Sequence, residues 1–293
     1  MKEIYTILRV NHWFKNAFIF IGVLSYYMFD SFDINIEMIY KVILAFLLAS
    51  FISSVNYIIN QITDIDTDKK HPTKKNRPLP SGRITVEVSF LISILIFGSS
   101  FYISMYYFDI LFSVSLMALW IAGILYNIRP IRLKDKPYLD VVSESINNPI
   151  RFLISWNSIA TSFYPPILLL LSTWTAGAVL MTAKRYDEYN TFGKKIYTYR
   201  RTFKVYRKWS LTLMLFLYSF LTLLFLGLFL IPWGRKYLPV FILSMFFVIW
   251  IIYEIIVSKH SLKDVESFAK KKEFISFCLL IVMTTLYLAY YGY

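Results

Sequence analysis

Apolar stretches long enough to cross a lipid bilayer recur nine times along this chain of 293 residues. A helix needs about 20 apolar residues to cross the hydrocarbon core, and a backbone inside lipid must satisfy its own hydrogen bonds. The composition, 57% hydrophobic and 19% aromatic, is typical of membrane proteins and not of soluble domains. The sequence therefore predicts an all-α, polytopic membrane protein with nine transmembrane helices in one domain, residues 1–293. The predicted spans are 13–29, 39–62, 86–106, 109–126, 140–161, 163–183, 209–231, 238–258 and 273–291.

Basic residues are concentrated on one side of this predicted arrangement. Of the 31 Lys and Arg residues, 26 lie in the N-terminal segment or in the loops 61–87, 127–139, 184–208 and 259–272. Because cytoplasmic loops carry an excess of Lys and Arg, the pattern predicts a cytoplasmic N-terminus, cytoplasmic basic loops and a C-terminus outside. Membrane topology thereby explains the net charge of +13, and no nucleic-acid-binding motif accompanies it. The single cysteine, Cys278, excludes an internal disulfide framework.

A stripe of polar side chains closes the second predicted span. Its members are spaced four residues apart, which places them on one helical face: Asn56, Asn60, Asp64 and Asp68. Basic residues, among them Lys74 and Arg77, follow in the next loop. Carboxylate and amide oxygens are ligands for hard divalent cations, and charged groups inside a membrane face a cavity rather than lipid. The stripe therefore predicts a divalent cation that holds a diphosphate, and hence an intramembrane enzyme acting on a phosphorylated substrate.

A second group of polar residues opens the fifth predicted span. Its members follow one helical face at offsets of 4, 7, 8 and 11 residues: Asp140, Glu144, Asn147, Asn148 and Arg151. Polar groups in a membrane helix are costly when they face lipid, so these must face the bundle interior or a wet cavity. For the asparagines, hydrogen bonding between helices is an equal alternative to a functional role. The two carboxylates, without a close basic partner, favour a bound cation.

A third group lies where the sixth predicted span ends: Lys184, Arg185, Tyr186 and Glu188. Lys184 and Glu188 are four residues apart, so a surface salt bridge is the simplest interpretation of that pair. Under the predicted topology all three groups lie at the cytoplasmic ends of their helices. We expect the two acidic groups to face each other and to bind Mg²⁺ together with the phosphates that it bridges. The basic residues expected around them are Lys74, Arg77, Arg129, Arg132 and Lys134.

These residues resemble the motifs of the UbiA superfamily of intramembrane prenyltransferases. The first family motif, N-D-x-x-D-x-x-x-D, matches Asn60 to Asp68, with Gln61 in place of the first aspartate. The second motif, D-x-x-x-D, matches Asp140 to Glu144, with glutamate in place of the last aspartate. Nine spans are also the family's architecture, so the resemblance covers nearly the whole chain. It implies a UbiA-type bundle with a Mg²⁺-dependent, cytoplasm-facing active site, in which Gln61 removes one negative charge near the metal.

Three segments are similar to the superfamily branch that makes decaprenylphosphoryl phosphoribose: WFKN at 13–16, HPTKKNRP at 71–78, and KRYDE at 184–188. This resemblance implies transfer of phosphoribose from phosphoribosyl diphosphate (PRPP) to a polyprenyl phosphate. The expected catalytic residues are Asp64, Asp68, Asp140, Glu144, Lys74 and Arg77, and the expected metal ligands are Asn60 and the same four carboxylates. The expected substrate-binding residues are Lys15, Asn56, Asn60, Gln61, Arg132, Lys134, Asn148, Arg151, Lys184, Arg185 and Tyr186.

Two alternative functions stay open at the level of sequence. The first is prenyl transfer, in which a polyprenyl diphosphate ionises and an aromatic or other acceptor attacks. The second is a non-catalytic lipid-binding or transport protein, which the substitution at Gln61 favours and the two retained acidic groups oppose. PRPP is water-soluble and requires a polar pocket, whereas a prenyl diphosphate requires a long apolar groove. The basic loop 69–83 favours PRPP.

Overall fold

The computed structural model describes residues 2–27, 35–70, 73–159, 164–192, 200–257 and 271–291. All regular secondary structure within these ranges is helical, which confirms the predicted all-α class. The α-helices are α1 (Lys2–Leu8), α2 (Phe18–Tyr27), α3 (Ile36–Thr63), α4 (Ile65–Lys69), α5 (Val86–Tyr107), α6 (Ile110–Asn127), α7 (Leu139–Ser145), α8 (Asn147–Ile159), α9 (Ile167–Phe192), α10 (Lys208–Leu230), α11 (Leu238–Ile256) and α12 (Lys272–Tyr291). Short 3₁₀ helices lie at Val10–Ala17, Lys74–Asn76, Leu133–Asp135, Arg201–Lys204 and Ile231–Tyr237.

Six stretches of the described residues are long and apolar enough to cross a membrane. Five are single helices, and the sixth, Lys208–Ile256, contains both α10 and α11. Helices α2 and α8 have only 10 and 13 residues, which is shorter than a membrane span. The predicted turn between the fifth and sixth spans lies partly in 160–163, outside the described residues. The count of nine transmembrane helices stays a prediction.

Two compact units make up the chain. The first comprises Met1–Lys136 and Ile150–Tyr164, and the second comprises Pro137–Pro149 and Pro165–Tyr293. The first unit thus contains α1 to α6 and most of α8, and the second contains α7 and α9 to α12.

Helix α5 of the first unit has small polar residues on its buried side and large apolar residues on its exposed side. It packs against α3 and α6, and the residues that it buries are all serines: Ser89, Ser93, Ser100 and Ser104. Their hydroxyls donate to backbone carbonyls three or four residues earlier, so each buried hydroxyl keeps a hydrogen-bond acceptor. Exposed Leu95 and Tyr102 are on the opposite side. Small residues let membrane helices approach closely while large apolar ones face lipid.

The acidic residues of the first motif come directly after the long helix α3. Asn35 caps the start of this helix by accepting a hydrogen bond from the amide of Met38 at 2.8 Å. The helix ends at Thr63, and Asp64 leaves the helical conformation with φ −109° and ψ 5°. The next helix, α4, begins immediately and contains Asp68. Both carboxylates therefore lie beyond the membrane-spanning part of α3.

An apolar core in the second unit surrounds the second group of charged residues. It is formed by α7, α9, α10, α11 and the segment before α10, and its buried members include Val141, Tyr186, Phe203, Leu211 and Ile251. Val141 and Tyr186 are sequence neighbours of Asp140 and Arg185, so core packing fixes the helices that present these charges.

The sixth predicted span, 163–183, is too short: α9 continues to Phe192.

The fifth predicted span, 140–161, is wrong as a single helix. It is two helices, α7 and α8, which are separated at Ile146. Pro149 explains the break, because it has no amide hydrogen to donate to the carbonyl of Ser145 and its ring excludes a continuous helix there. The predicted common face is therefore interrupted: Asp140 and Glu144 belong to the second unit, and Arg151 belongs to the first.

Candidate active site

Asp64 is held by two basic residues from the loop after α6. Lys134 Nζ contacts both carboxylate oxygens, at 2.8 and 2.7 Å, and an Arg132 guanidinium nitrogen contacts one of them at 2.7 Å. Arg132 adopts a left-handed backbone, φ 34°, and its Nε also donates to Asp135 at 2.8 Å. Burial raises the pKa of Asp64, but the charges of Lys134 and Arg132 outweigh it and leave that pKa below its ordinary value. Asp64 is therefore ionised at neutral pH.

Asp68, one turn later, is held by the loop that follows α4. It is only 2% exposed, and its carboxylate accepts from an Arg77 guanidinium nitrogen at 2.6 Å. Lys74 Nζ lies 3.9 Å from the other oxygen. Arg77 has an extended backbone, φ −69° and ψ 156°, as expected for the residue before Pro78. The predicted basic loop and the predicted acidic stripe therefore meet within the first unit.

The two asparagines of the stripe face α6. Asn60 donates through Nδ2 to Oδ1 of Asn127, which also accepts from Lys134 Nζ at 3.1 Å, so Asn127 links Asn60 to the base that holds Asp64. Asn56 donates to the carbonyl of Leu119 at 2.9 Å. A Cβ at Gly123 would lie 2.1 Å from Asn56 Cγ, so glycine is required for this approach.

Gln61 lies outside this group of contacts. It is 1% exposed, and its amide nitrogen donates to the carbonyls of Ile7 at 3.1 Å and Tyr57 at 3.4 Å. Its neighbour Ile58 is buried with Ile7 in a small apolar cluster. The geometry therefore gives Gln61 a role in packing α1 against α3, unlike the metal-proximal role that the motif implies.

A second network of charges is centred on Arg185 in the second unit. The guanidinium is 0% exposed and contacts three carboxylates: Asp140 at 2.8 Å, Glu144 at 3.2 Å and Glu188 at 3.2 Å. Arg200 adds a contact with Glu188 at 3.5 Å. Asp140 therefore does have a close basic partner, 45 residues away in sequence. The expectation that this carboxylate pair lacks one is wrong, because the partner comes from α9, a helix that is distant in sequence.

Tyr206 completes the network. Its hydroxyl donates to the second oxygen of Asp140 and accepts from the backbone amide of Tyr138 at 2.9 Å. Tyr138 has a positive φ of 67°, a strained conformation for a residue with a side chain. Burial, together with the charge of Asp140, raises the pKa of Tyr206, so the phenol stays protonated and remains a donor. Both oxygens of Asp140 are thus engaged by side chains of the second unit.

The remaining expected substrate-binding residues are more dispersed. Asn148 packs into a notch at Gly177, where a Cβ would lie 2.0 Å from its Nδ2. Arg151 donates through Nε to Asn16 at 2.7 Å. Tyr186 belongs to the apolar core, and Lys208 Nζ lies 5.6 Å from its ring centroid. Lys15 lies in the 3₁₀ helix Val10–Ala17 of the first unit, and Lys184 is half-buried on α9 of the second.

Comparison with known proteins identifies the family. A model of the UbiA prenyltransferase family matches residues 17–290, which is most of the chain. The chain belongs to the UbiA prenyltransferase family. The structure of a UbiA homolog from Archaeoglobus fulgidus bound to DMAPP and Mg²⁺ is similar over 99% of both chains, with a TM-score of 0.74 and 17% sequence identity. That likeness confirms the UbiA fold expected from the motifs, and the protein is an integral membrane protein of this family.

The curated relatives of this UbiA protein have different activities. A protoheme IX farnesyltransferase from Leptospira interrogans is 32% identical over 127 residues, which are 42% of this chain and 43% of the relative. A decaprenyl-phosphate phosphoribosyltransferase from Mycobacterium tuberculosis is 26% identical over 89 residues, 30% of each chain. The chain therefore matches less than half the length of these relatives. The family is established by these comparisons, and the substrate has to be argued from the site.

The first group of this UbiA protein fits Mg²⁺ by its chemistry. Within the described ranges no three His, Cys, Asp or Glu side chains converge into a metal site. Magnesium, however, is commonly bound through one or two carboxylates, with water and substrate phosphates completing its coordination. Asn56 Oδ1 is buried and accepts no hydrogen bond from the described residues. Asn60, Asp64 and Asp68 carry oxygen atoms of the kind that this mode of binding uses.

Four residues in these networks were not expected from the sequence as site residues: Asn127, Glu188, Arg200 and Tyr206. Asn127 could have been recognised from the sequence, because it is a polar residue at the end of a predicted membrane helix, next to the basic loop. Glu188 pairs with Arg185 and Arg200, a role that the simple surface-pair interpretation with Lys184 misses. No local pattern marks Arg200 or Tyr206, because their partners are distant in sequence.

Proposed function

We propose that this UbiA-family transferase moves phosphoribose from PRPP to a polyprenyl phosphate. The observation that carries the proposal is the convergence of four basic side chains on Asp64 and Asp68 within the first unit: Lys74, Arg77, Arg132 and Lys134. A site with more cations than carboxylates suits a polyanionic, water-soluble substrate. PRPP has both a diphosphate and a monophosphate, so it needs several such contacts.

The residues of this group have distinct proposed roles. Asn60, Asp64 and Asp68 would hold Mg²⁺, which neutralises the charge that develops on the leaving diphosphate. Arg77 and Arg132 present planar guanidinium groups that contact two phosphate oxygens at once, and Lys134 adds a point charge. These side chains pair with the carboxylates by ion pairs, which can be exchanged for contacts to a metal and to phosphates without altering helix packing.

The transfer itself needs no protein nucleophile. The bond between ribose C1 and the diphosphate oxygen breaks, C1 becomes oxocarbenium-like, and an oxygen of the lipid phosphate forms the new bond to C1. The attacking phosphate is already ionised at neutral pH, so no general base is required. The task of the chain is therefore to bind the diphosphate, to stabilise its charge and to orient the lipid phosphate.

Prenyl transfer is the second candidate, and two of the comparisons support it. The relative from Leptospira interrogans is a farnesyltransferase, and the solved Archaeoglobus homolog is bound to DMAPP. In this chemistry a polyprenyl diphosphate would use the same Asp64 and Asp68 group for its diphosphate. The two candidates differ in the electrophile and share the site.

One assay separates them. Purified protein with Mg²⁺ and a polyprenyl phosphate receives ribose-labelled PRPP in one tube. A parallel tube offers labelled prenyl diphosphate and a panel of aromatic acceptors. Label from PRPP in the lipid fraction, with release of diphosphate, is the expected result. Consumption of prenyl diphosphate with no use of PRPP would replace phosphoribosyl transfer by prenyl transfer.

A further inference from the structure

A wide groove of about 1090 Å³ lies at the N-terminal end of α10, in the second unit. Two tyrosines, Tyr189 and Tyr206, line one part of it. No acidic residue contributes to the described lining of the groove. Of the residues that line it, only Tyr206 belongs to either of the two charge networks described above, so the groove calls for a separate explanation.

Three basic residues line the end of the groove that precedes the helix: Lys204, Arg207 and Lys208. All three are exposed, and none has an acidic partner among the residues that the structure describes. Lys208 Nζ lies over the ring of Tyr186, 5.6 Å from its centroid. The N-terminus of the 23-residue helix α10 lies at the same end, and the dipole of the helix adds positive potential there. This end of the groove is therefore suited to a phosphate group.

The other part of the groove is apolar and continues along the membrane helix. Trp209, Leu213 and Phe216 line it, and their spacing of four and three residues places them on one face of α10. They are 64%, 60% and 49% exposed. The stretch from Lys208 onward is one of those apolar enough to cross the membrane. A hydrocarbon chain can therefore follow this face while its anionic end stays at the basic residues.

Tyr206 connects the groove with the charge network of the second unit. It lines the groove, and its hydroxyl donates to Asp140. A ligand in the groove therefore lies next to a side chain that belongs to the second acidic group. A surface that only faced lipid would consist of the apolar side chains of α10 alone. This groove also includes Tyr206, which is bonded to Asp140.

We propose that this groove binds the polyprenyl phosphate, with the phosphate at Lys204, Arg207 and Lys208 and the first isoprene units along Trp209, Leu213 and Phe216. This inference rests on the proposed function for the identity of the lipid as acceptor. A single apolar stripe on a single helix fits one chain, as in a prenyl phosphate, better than the two chains of a phospholipid. A phosphate monoester also has more negative charge than a phosphodiester, which suits three cations.

The test compares two charge-matched double variants. Arg207→Gln with Lys208→Gln removes one Arg and one Lys from the groove, and Arg235→Gln with Lys236→Gln removes the same pair from the loop between α10 and α11. The groove variant is expected to raise KM for polyprenyl phosphate about 10-fold, with kcat and KM for PRPP unchanged. The control variant is expected to leave all three values as they are. Equal KM values for the lipid in both variants would overturn the proposal, as would a rise in KM for PRPP as large as that for the lipid.

A binding measurement keeps the groove testable without turnover. A photoreactive farnesyl monophosphate is expected to label the peptide that contains Trp209 to Phe216, and polyprenyl phosphate should displace it far better than phosphatidylglycerol vesicles. Equal displacement by phosphatidylglycerol would make the groove a general anionic-lipid site. If the groove is labelled while PRPP is ignored in the transfer assay, the lipid site stands and phosphoribosyl transfer fails. Lys204→Gln, a single exposed change, replaces the double variant if the latter does not fold.

Discussion

The two acidic groups of this protein have similar residues and opposite environments. Asp64 and Asp68 of the first unit pair with loop side chains that reach solvent, such as Arg77, whose side chain is 23% exposed. Asp140 of the second unit pairs with Arg185, and both side chains are 0% exposed. Under the proposed function the first set of ion pairs would be exchanged for contacts to a metal and to phosphates, whereas the pair of Asp140 with Arg185 is part of the core.

This difference teaches that a family motif does not by itself assign a role to each carboxylate. An ion pair buried away from water is costly to break by removal of one partner, because the other charge is left without compensation. The pair of Arg132 with Asp64 is less buried, with side chains 14% and 18% exposed, so water can replace a lost partner there more readily than at Asp140. We therefore expect changes in the second group to act mainly on stability, and changes in the first group to act mainly on catalysis.

The largest expected effect is on the stability of the second unit. Asp140→Asn leaves the buried guanidinium of Arg185 without its nearest charge partner, which should lower the free energy of unfolding by about 3–5 kcal/mol. Glu144→Gln is the matched control, because the Glu144 side chain is 28% exposed and its contact with Arg185 is longer, at 3.2 Å. Thermal unfolding in detergent measures both. Full stability of Asp140→Asn combined with a higher Mg²⁺ requirement would make Asp140 a metal ligand and remove the contrast between the groups.

The next effect is on turnover at the first group. Asp64→Asn should lower kcat by about 100- to 1000-fold, because it removes a charge that acts on the reacting diphosphate, while the protein still folds. Asp66→Asn is the control: it makes the same chemical change two residues away, at an exposed position. Turnover with saturating substrates and size-exclusion profiles are the measurements. Near-normal activity of Asp64→Asn would exclude this carboxylate from the metal site.

Arg77 tests whether the loop cations bind the soluble substrate. Arg77→Ala should raise KM for PRPP about 10- to 150-fold, the loss expected for a charge-assisted contact of roughly 1.5–3 kcal/mol, and should change KM for the lipid phosphate little. Arg83→Ala is the control in the same loop, because Arg83 pairs with Glu3 at 2.7 Å and not with the acidic stripe. A rise in both KM values for Arg77→Ala would indicate a structural role.

The smallest effect concerns Gln61. Gln61→Asp replaces a buried donor to the carbonyl of Ile7 with a carboxylate, so it should lower stability by about 1–3 kcal/mol. The Mg²⁺ concentration for half-maximal activity should not change, because the side chain packs α1 against α3. A lower Mg²⁺ requirement would return Gln61 to the coordination sphere that the family motif implies.

Parts of the site were predictable because they depend only on the spacing of residues within one helix. The spacing of Asn56, Asn60 and Asp64 predicts one helical face, and all three side chains contact α6 or the loop that follows it. Pro149 also indicates the break between α7 and α8, because proline disrupts a helix, although hydropathy alone predicts one continuous span. The orientation of Gln61 was not predictable in this way. Its position in the motif is next to Asn60, but its side chain donates to the carbonyl of Ile7 because α1 packs against α3.

The amino-acid sequence by itself determined the all-α membrane class, the family and the acidic stripes, because hydropathy and helical periodicity act over one or two turns of helix. Only the tertiary structure decided which cation each carboxylate holds. Asp64 meets Lys134 across 70 residues, and Asp140 meets Tyr206 across 66. Such pairs depend on how helices pack, and their energies depend on burial, so carboxylates of the same chemistry meet partly exposed cations in one unit and a fully buried guanidinium in the other.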